Sequence, residues 1–192
     1  MTAPVLSLSR IGHIDRNAGD RMVKKHYLRR WPGVCTCIIG MSGPEGIADQ
    51  ISFDGINYVG VVVFALPPRE TIVRYGGLTW ELARLWIDDA MPKNSESWLL
   101  GKAAWHVRKN HPDVTCLVSY ADPTHGHQGT IYKAAGWASD GMSSQLFDRI
   151  DAYGNFYSRT GHIPPGRETT RIVRQAKHRF IMRMNKRKAT NP

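Results

Sequence analysis

The sequence predicts an α/β (α+β) chain: a mixed sheet flanked by helices, with a basic C-terminal extension. Three observations carry this expectation. Of 192 residues, 42% are hydrophobic and six are Trp, enough apolar surface for one sizeable core. β-Branched runs of strand length alternate with one clear helical stretch, and the strand, helix, strand, helix order of the second half needs crossover connections, hence some parallel pairing. The positive charge is gathered into two blocks rather than spread along the chain.

In chain order, residues 13–30 are polar and basic with a weak helical period (Ile14, Met22, Val23, Tyr27) and stop at Trp31-Pro32-Gly33, which gives one helix and a loop. Residues 34–41 (VCTCIIGM) and 51–64 (ISFDGINYVGVVVF) read as strands of an antiparallel meander, with turns at Gly43-Pro44-Glu45-Gly46 and Asp54-Gly55. Residues 79–87 (TWELARLWI) are the next apolar strand. The helix from Asn94 or Ser95 to Asn110 is the best marked. Ser95 can cap it, Trp98, Leu99, Ala103 and Val107 mark its buried face, and His111-Pro112 ends it. Residues 114–121 (VTCLVSYA) follow as a buried strand, residues 129–136 (GTIYKAAG) as a short helix closed by Gly136, and Trp137 restarts extended chain. Residues 145–158 (QLFDRIDAYGNFYS) read as a hairpin turning at Gly154-Asn155. The stretch 161–166 (GHIPPG) separates a body, residues 1–160, from a basic tail or helix, residues 161–192.

The formal charge is +10, from 26 Lys and Arg against 16 Asp and Glu. Nine basic residues lie between Arg167 and Lys188 with Glu168 as the one acid, and five lie between Arg21 and Arg30 with none, while residues 31–166 are slightly acidic. Two such blocks suit a polyanion, because each Lys or Arg set against a phosphate releases condensed counterions. Lys24, Lys25, Arg29, Arg30, Arg171, Arg174, Lys177 and Arg179 are the candidates to hold it, and His26, Tyr27 and Trp31 offer stacking groups beside the first block. Three Cys build no disulfide framework and fit a reducing compartment; Cys35 and Cys37 alternate on one strand face as small core residues. The Met-Thr-Ala-Pro start lacks the regions of a signal peptide and no apolar run is long enough to span a membrane, so an intracellular chain with no membrane partner is expected. The sequence leaves the oligomer open, with a homodimer compatible.

Two constellations carry chemistry. In residues 91–101 (MPKNSESWLLG) a strand meets a helix N-terminus, whose free amides make an anion site, and Lys93 adds a point charge. In residues 119–137 a Ser, a Tyr, an Asp and two His sit at the C-terminal end of a buried strand, where open sheets usually bind ligands, and Tyr132 lies one turn into the next helix. Asp122 either turns the chain or accepts a proton. Arg84, charged among apolar strand residues, needs solvent or an anion; Asp122, Glu81 or a phosphate would serve. Asp122, His125 and His127 also form an Asp-x-x-His-x-His cluster whose donors could hold iron, without requiring it.

The order of strand, anion loop, helix, strand and short helix ending in residues 131–137 (IYKAAGW) resembles the GNAT acyl-CoA N-acyltransferase fold, with Pro92-Lys93-Asn94-Ser95-Glu96-Ser97 in place of its Gly-rich loop. The combination of Lys25-His26-Tyr27, residues 81–86 (ELARLW), residues 92–97 (PKNSES), residues 119–123 (SYADP) and residues 127–132 (HQGTIY) closely resembles the Mom family of phage DNA-modification proteins, over most of the body. The resemblance implies an enzyme of phage or prophage origin, working in the cytoplasm of the bacterial host. It implies transfer of a methylcarbamoyl-type group to the exocyclic N6 of adenine, flipped from double-stranded DNA, which shields phage DNA from host restriction. By motif it makes His26, Tyr27, Arg84, Asp122 and Tyr132 catalytic. The anion site and the strand end are where the donor, acetyl-CoA or another CoA-like molecule, is expected, against Lys93, Asn94, Ser95, Ser119 and Tyr120. The alternatives are a nucleic-acid-binding protein without catalysis on the same fold, and a conventional CoA-dependent N-acyltransferase.

Overall fold

The structure, a computed structural model, describes residues 9–43, 51–157 and 161–184; the chain start and most of the turn expected at 43–46 lie outside these. The main sheet runs β1 (Arg10–His13), β2 (Cys35–Ser42), β4 (Ile56–Ala65), β5 (Leu78–Ile87), β6 (Val114–Ala121), β11 (His178–Arg183), β7 (Ala138–Met142), and β3 (Ile51–Phe53) pairs with β4. Only β5 and β6 are parallel; the other pairs are antiparallel. A smaller antiparallel sheet holds β10 (Thr169–Val173), β8 (Phe147–Asp151) and β9 (Phe156–Tyr157), which include the expected hairpin.

Helices α1 (Arg16–Lys25) and α3 (Ser95–Asn110) cover opposite faces of the main sheet, while α2 (Arg69–Tyr75) and α4 (Thr130–Ala134) are short connectors. The two covered faces explain why β4 is a continuous apolar run rather than an alternating one. Its Val62 and Phe64 join the cluster under α3 with Leu99, Ala103 and Leu117, and its Val61 and Val63 join Met22 and Val23 of α1. Asp15 caps α1 by accepting from the Ala18 amide at 2.8 Å. At α3 the expected cap moves by one residue: Asn94 holds the cap position in a left-handed conformation, and the Ser95 hydroxyl instead donates to the Pro92 carbonyl at 2.6 Å. Trp98 is only partly buried at the rim of that core. Among the described residues no helix is long and apolar enough to cross a membrane.

Two expectations need correction. Cys35 and Cys37 do not share a face, because the β2–β4 register shifts between them; Cys35 packs with the α1 cluster and Cys37 with the α3 cluster. Nor is the described part of 161–192 a tail or a helix. It forms β10 and β11, and β11 lies inside the main sheet between β6 and β7. Beneath the charge runs a period of two. Phe180, Met182 and Met184 turn to the α3 side, while Arg179 donates to Asp140 and Arg183 to the Tyr75 carbonyl.

Candidate active site

The parallel pairing of β5 and β6 covers only Leu78–Glu81 against Val114–Val118. Beyond it β5 stays with β4 as far as Ile87, and β6 with β11 as far as Ala121, so the two strands part. Parting leaves main-chain groups that must find other partners. The Ser119 hydroxyl fills the fork, 3.1 Å from the Leu82 carbonyl and 2.9 Å from the Tyr132 hydroxyl. Tyr132 is buried, stacks on Phe180 at 5.0 Å, and has its pKa raised by that burial, so it is a neutral donor. The fork opens into a cleft of about 550 Å³ lined by Leu82, Leu85, Trp86, Tyr120, Ile131 and Tyr132. Tyr120 also lines a second cleft of about 440 Å³, whose charged residues include Arg74, Glu81, Arg174, Lys177 and Arg179.

The turn after α1 brings the next residues to this fork. Trp31 lies against Gly19 and donates to Asp20 at 3.0 Å, folding the loop back on its helix. Arg84 reaches across from β5 and donates through Nε to the Arg30 carbonyl at 2.8 Å. The Tyr27 ring then sits 4.3 Å from that of His26, 4.5 Å from His125 and 5.8 Å from His127. The Leu28 amide donates to His26 Nδ1 at 3.1 Å, so the neutral imidazole carries its proton on Nε2. Burial, helped by the nearby Arg84, His127 and His125, pushes its pKa down to about 4. At neutral pH His26 therefore offers a hydrogen-bond donor rather than a base.

Asp122 turns the chain, as its position before Pro123 allowed, and also holds an ion pair. One oxygen accepts from the amide and hydroxyl of Thr124 and turns the chain; the other is 2.8 Å from Lys177 Nζ. Burial alone would raise its pKa, but Lys177 and Thr124 outweigh that and hold it at about 2. Arg84 does not meet Asp122. Its guanidinium donates to the carbonyls of Arg30 and Ala83, so it is buried by main-chain oxygens rather than a carboxylate. Glu81, weighed in the sequence only as a partner for Arg84, is the carboxylate with raised pKa: burial raises it against the pull of Arg84 and Lys177. In the sequence Glu81 and Arg84 are only polar breaks in an apolar strand, with no sign of the burial that raises this carboxyl.

His26, Tyr27, Arg84, Asp122 and Tyr132 thus meet at one fork, and Ser119 and Tyr120 line it. Lys93, Asn94 and Ser95 do not line the cleft; Asp89 and Glu96 stand at that end instead. The apolar fork suits the reactive arm of a CoA-type donor. For its phosphates the chain offers the α3 amides of Glu96 and Ser97, which have no acceptor among the described residues. The expected iron cluster is not assembled: Asp122, His125 and His127 do not bring their ligand atoms together among the described residues, and both Asp122 oxygens are engaged, one by Thr124 and the other by Lys177. Of the basic candidates, Lys24 pairs with Asp20, Arg174 with Asp148, Lys177 with Asp122 and Arg179 with Asp140. Lys25 borders the cleft, and Arg29, Arg30 and Arg171 are exposed.

A model of the Mom protein family matches residues 9–191. A curated relative, the methylcarbamoylase Mom of Escherichia phage Mu, is 27% identical over 181 residues, covering 85% of this chain and 70% of that protein. Among solved structures, the NAA60 protein of Arabidopsis thaliana with acetyl-CoA superposes with a TM-score of 0.56 at 9% identity, over 92% of this chain and 98% of that one. An IAA acetyltransferase from Bacillus cereus superposes at 0.53 and 13% identity, over 91% and 99%. These likenesses show the fold, a GNAT-type mixed sheet with flanking helices.

Proposed function

Because this chain belongs to the Mom family, we propose that it is a DNA-modifying transferase that places a methylcarbamoyl-type group on the exocyclic N6 of adenine in double-stranded phage DNA. Its setting is the cytoplasm of the bacterial host, where the modification shields the DNA from restriction. The observation that carries the reading is the convergence of His26, Tyr27, Arg84, Asp122 and Tyr132, from separated stretches of sequence, on the β5–β6 fork. The name of the phage Mu relative supports the group transferred.

An adenine amine inside a duplex is out of reach, so the target base must leave the stack. The second cleft, with Arg74 and Arg174 at its wall, suits the anionic strand, and the exposed ring of Tyr27 is a stacking surface. The donor arm belongs in the apolar fork; when bound, a CoA-type donor supplies the activated carbon. His26 Nε2–H is available to polarise a carbonyl there, and the neutral Tyr132 hydroxyl to protonate a leaving group. The N6 lone pair is delocalised into the ring, so its proton needs an acceptor as the new bond forms. Glu81 is the better-matched base, while Asp122, fixed as an anion by Lys177, orients the amine and the loop.

The test is mass spectrometry of nucleosides from cells expressing the chain. Wild type should yield adenine carrying the methylcarbamoyl mass. Glu81→Gln, with melting curves showing it folded, should lower it by about 10² or more, and a folded Asp122→Asn should lower it as well. Unmodified adenine from the wild type, or adenine carrying only an acetyl group, overturns the reading. A wild-type level from Asp122→Asn reduces Asp122 to its turn.

A further inference from the structure

Far from the fork, at the other end of α3, three metal-binding side chains face one another. Cys37 on β2, His106 on α3 and His111 just past α3 offer a sulfur and two imidazole nitrogens, all within 4.8 Å of one another. Cys37 is a free thiol and only 2% exposed. The β-bulge between Cys35 and Cys37 is what turns it to the α3 side, away from the face its spacing would give it. None of the three side chains has a hydrogen-bond partner among the described residues, so the thiol and both imidazoles are uncommitted; the two imidazoles are half-buried. Trp80 walls the group, its ring 4.8 Å from that of His111.

We propose that Cys37, His106 and His111 bind one zinc ion, with water in the fourth position, as a clasp fastening the end of α3 to β2. The ligand types decide the metal class: a thiolate with two imidazoles is a borderline-soft set that zinc favours and magnesium or calcium does not. Ligand atoms around tetrahedral zinc lie roughly 3.3–3.6 Å apart, so the group closes by about 1 Å, within reach of side-chain rotation. A thiol ligates as its thiolate, so binding expels the Cys37 proton to water and leaves a site charge of +1 with two neutral imidazoles.

The experiment uses the purified full chain, stripped of metal and titrated with Co²⁺. A thiolate-to-cobalt charge-transfer band with tetrahedral d–d absorption, at about one ion per chain, is expected, and added zinc should displace it. Cys37→Ser should abolish the charge-transfer band. Because that core residue also affects folding, His106→Gln on the partly exposed helix face is the second variant; it should fold yet lose the zinc-dependent rise in melting temperature. His125→Ala with His127→Ala should keep the band. Fewer than about a tenth of an ion per chain, cobalt without a thiolate band, or His106→Gln binding like wild type overturns the proposal. No arm reads DNA modification, so the outcome stands apart from the functional reading above.

Discussion

The imidazole of His26 and the carboxylate of Asp122 give the fork a pH signature whose sign follows from their surroundings. His26 titrates near 6.5 in an unfolded chain and near 4 in the folded one, so between those values the unfolded chain holds more protons. Its contribution is therefore complete above about pH 6.5 and is lost as pH falls toward 4. Asp122, near 2 when folded, contributes fully above about pH 4 and loses that contribution on the way down to 2. Urea midpoints measured from pH 7 to pH 3 should fall in both windows, and His26→Gln should flatten the upper one alone; an unchanged upper slope refutes the buried neutral imidazole. The residues that meet at the fork were legible because each stood inside a short motif. Glu81 was not, since its importance comes from burial among Arg84 and Lys177, and Lys177 is 96 positions away along the chain. Nor was the Asp122–Lys177 pair, which exists only because β11 brings Lys177 beside the end of β6.

Gly129 shows how tightly an element can constrain the site. It begins α4 with φ +76°, and a methyl group there would stand 2.1 Å from the Phe180 ring, against which Tyr132 stacks. Gly129→Ala faces both a left-handed backbone and a ring that cannot yield, so a loss of about 2–4 kcal/mol is expected, measured as the fall in urea midpoint at constant slope. Gly129→Ala with Phe180→Leu should recover the steric part and not the backbone part; full recovery would show that the backbone is unstrained. Long elements were readable. Helix α3 declared itself by its apolar face, and β4 by a β-branched run of strand length. Four-residue β1 and seven-residue α2 were not, because α2 buries only Thr71 and Tyr75 and neither shows enough periods to register. Strand β11 was hidden for a different reason: a two-residue period alternating with Arg and Lys looks like a solvated tail until both of its neighbours are known.

Across the molecule, the charge that suggested a polyanion partner divides into exposed and ion-paired cations. Arg179 is fixed on Asp140 and Lys177 on Asp122, whereas Arg29 and Arg171 are exposed. If the partner is duplex DNA, Arg29→Ala and Arg171→Ala should each weaken binding regardless of sequence and reduce the salt slope by about 1. Arg179→Ala should instead lower the melting temperature and leave that slope in place. Fluorescence anisotropy over a salt series separates these, and no change from Arg29→Ala with Arg171→Ala would move the DNA elsewhere on the surface. Removing residues 167–192 would not test the question, because it takes out a strand of the main sheet. That strand also dictates an order of events during synthesis. Cys116 and Arg183 are partners in the sheet yet 67 positions apart, so on the ribosome β6 waits with one edge unpaired while all of β7–β10 is made. Until β11 arrives between β6 and β7, the nascent chain has an open β-edge and Asp122 has no lysine. A product terminated before residue 178 is accordingly an aggregating chain rather than a weak enzyme.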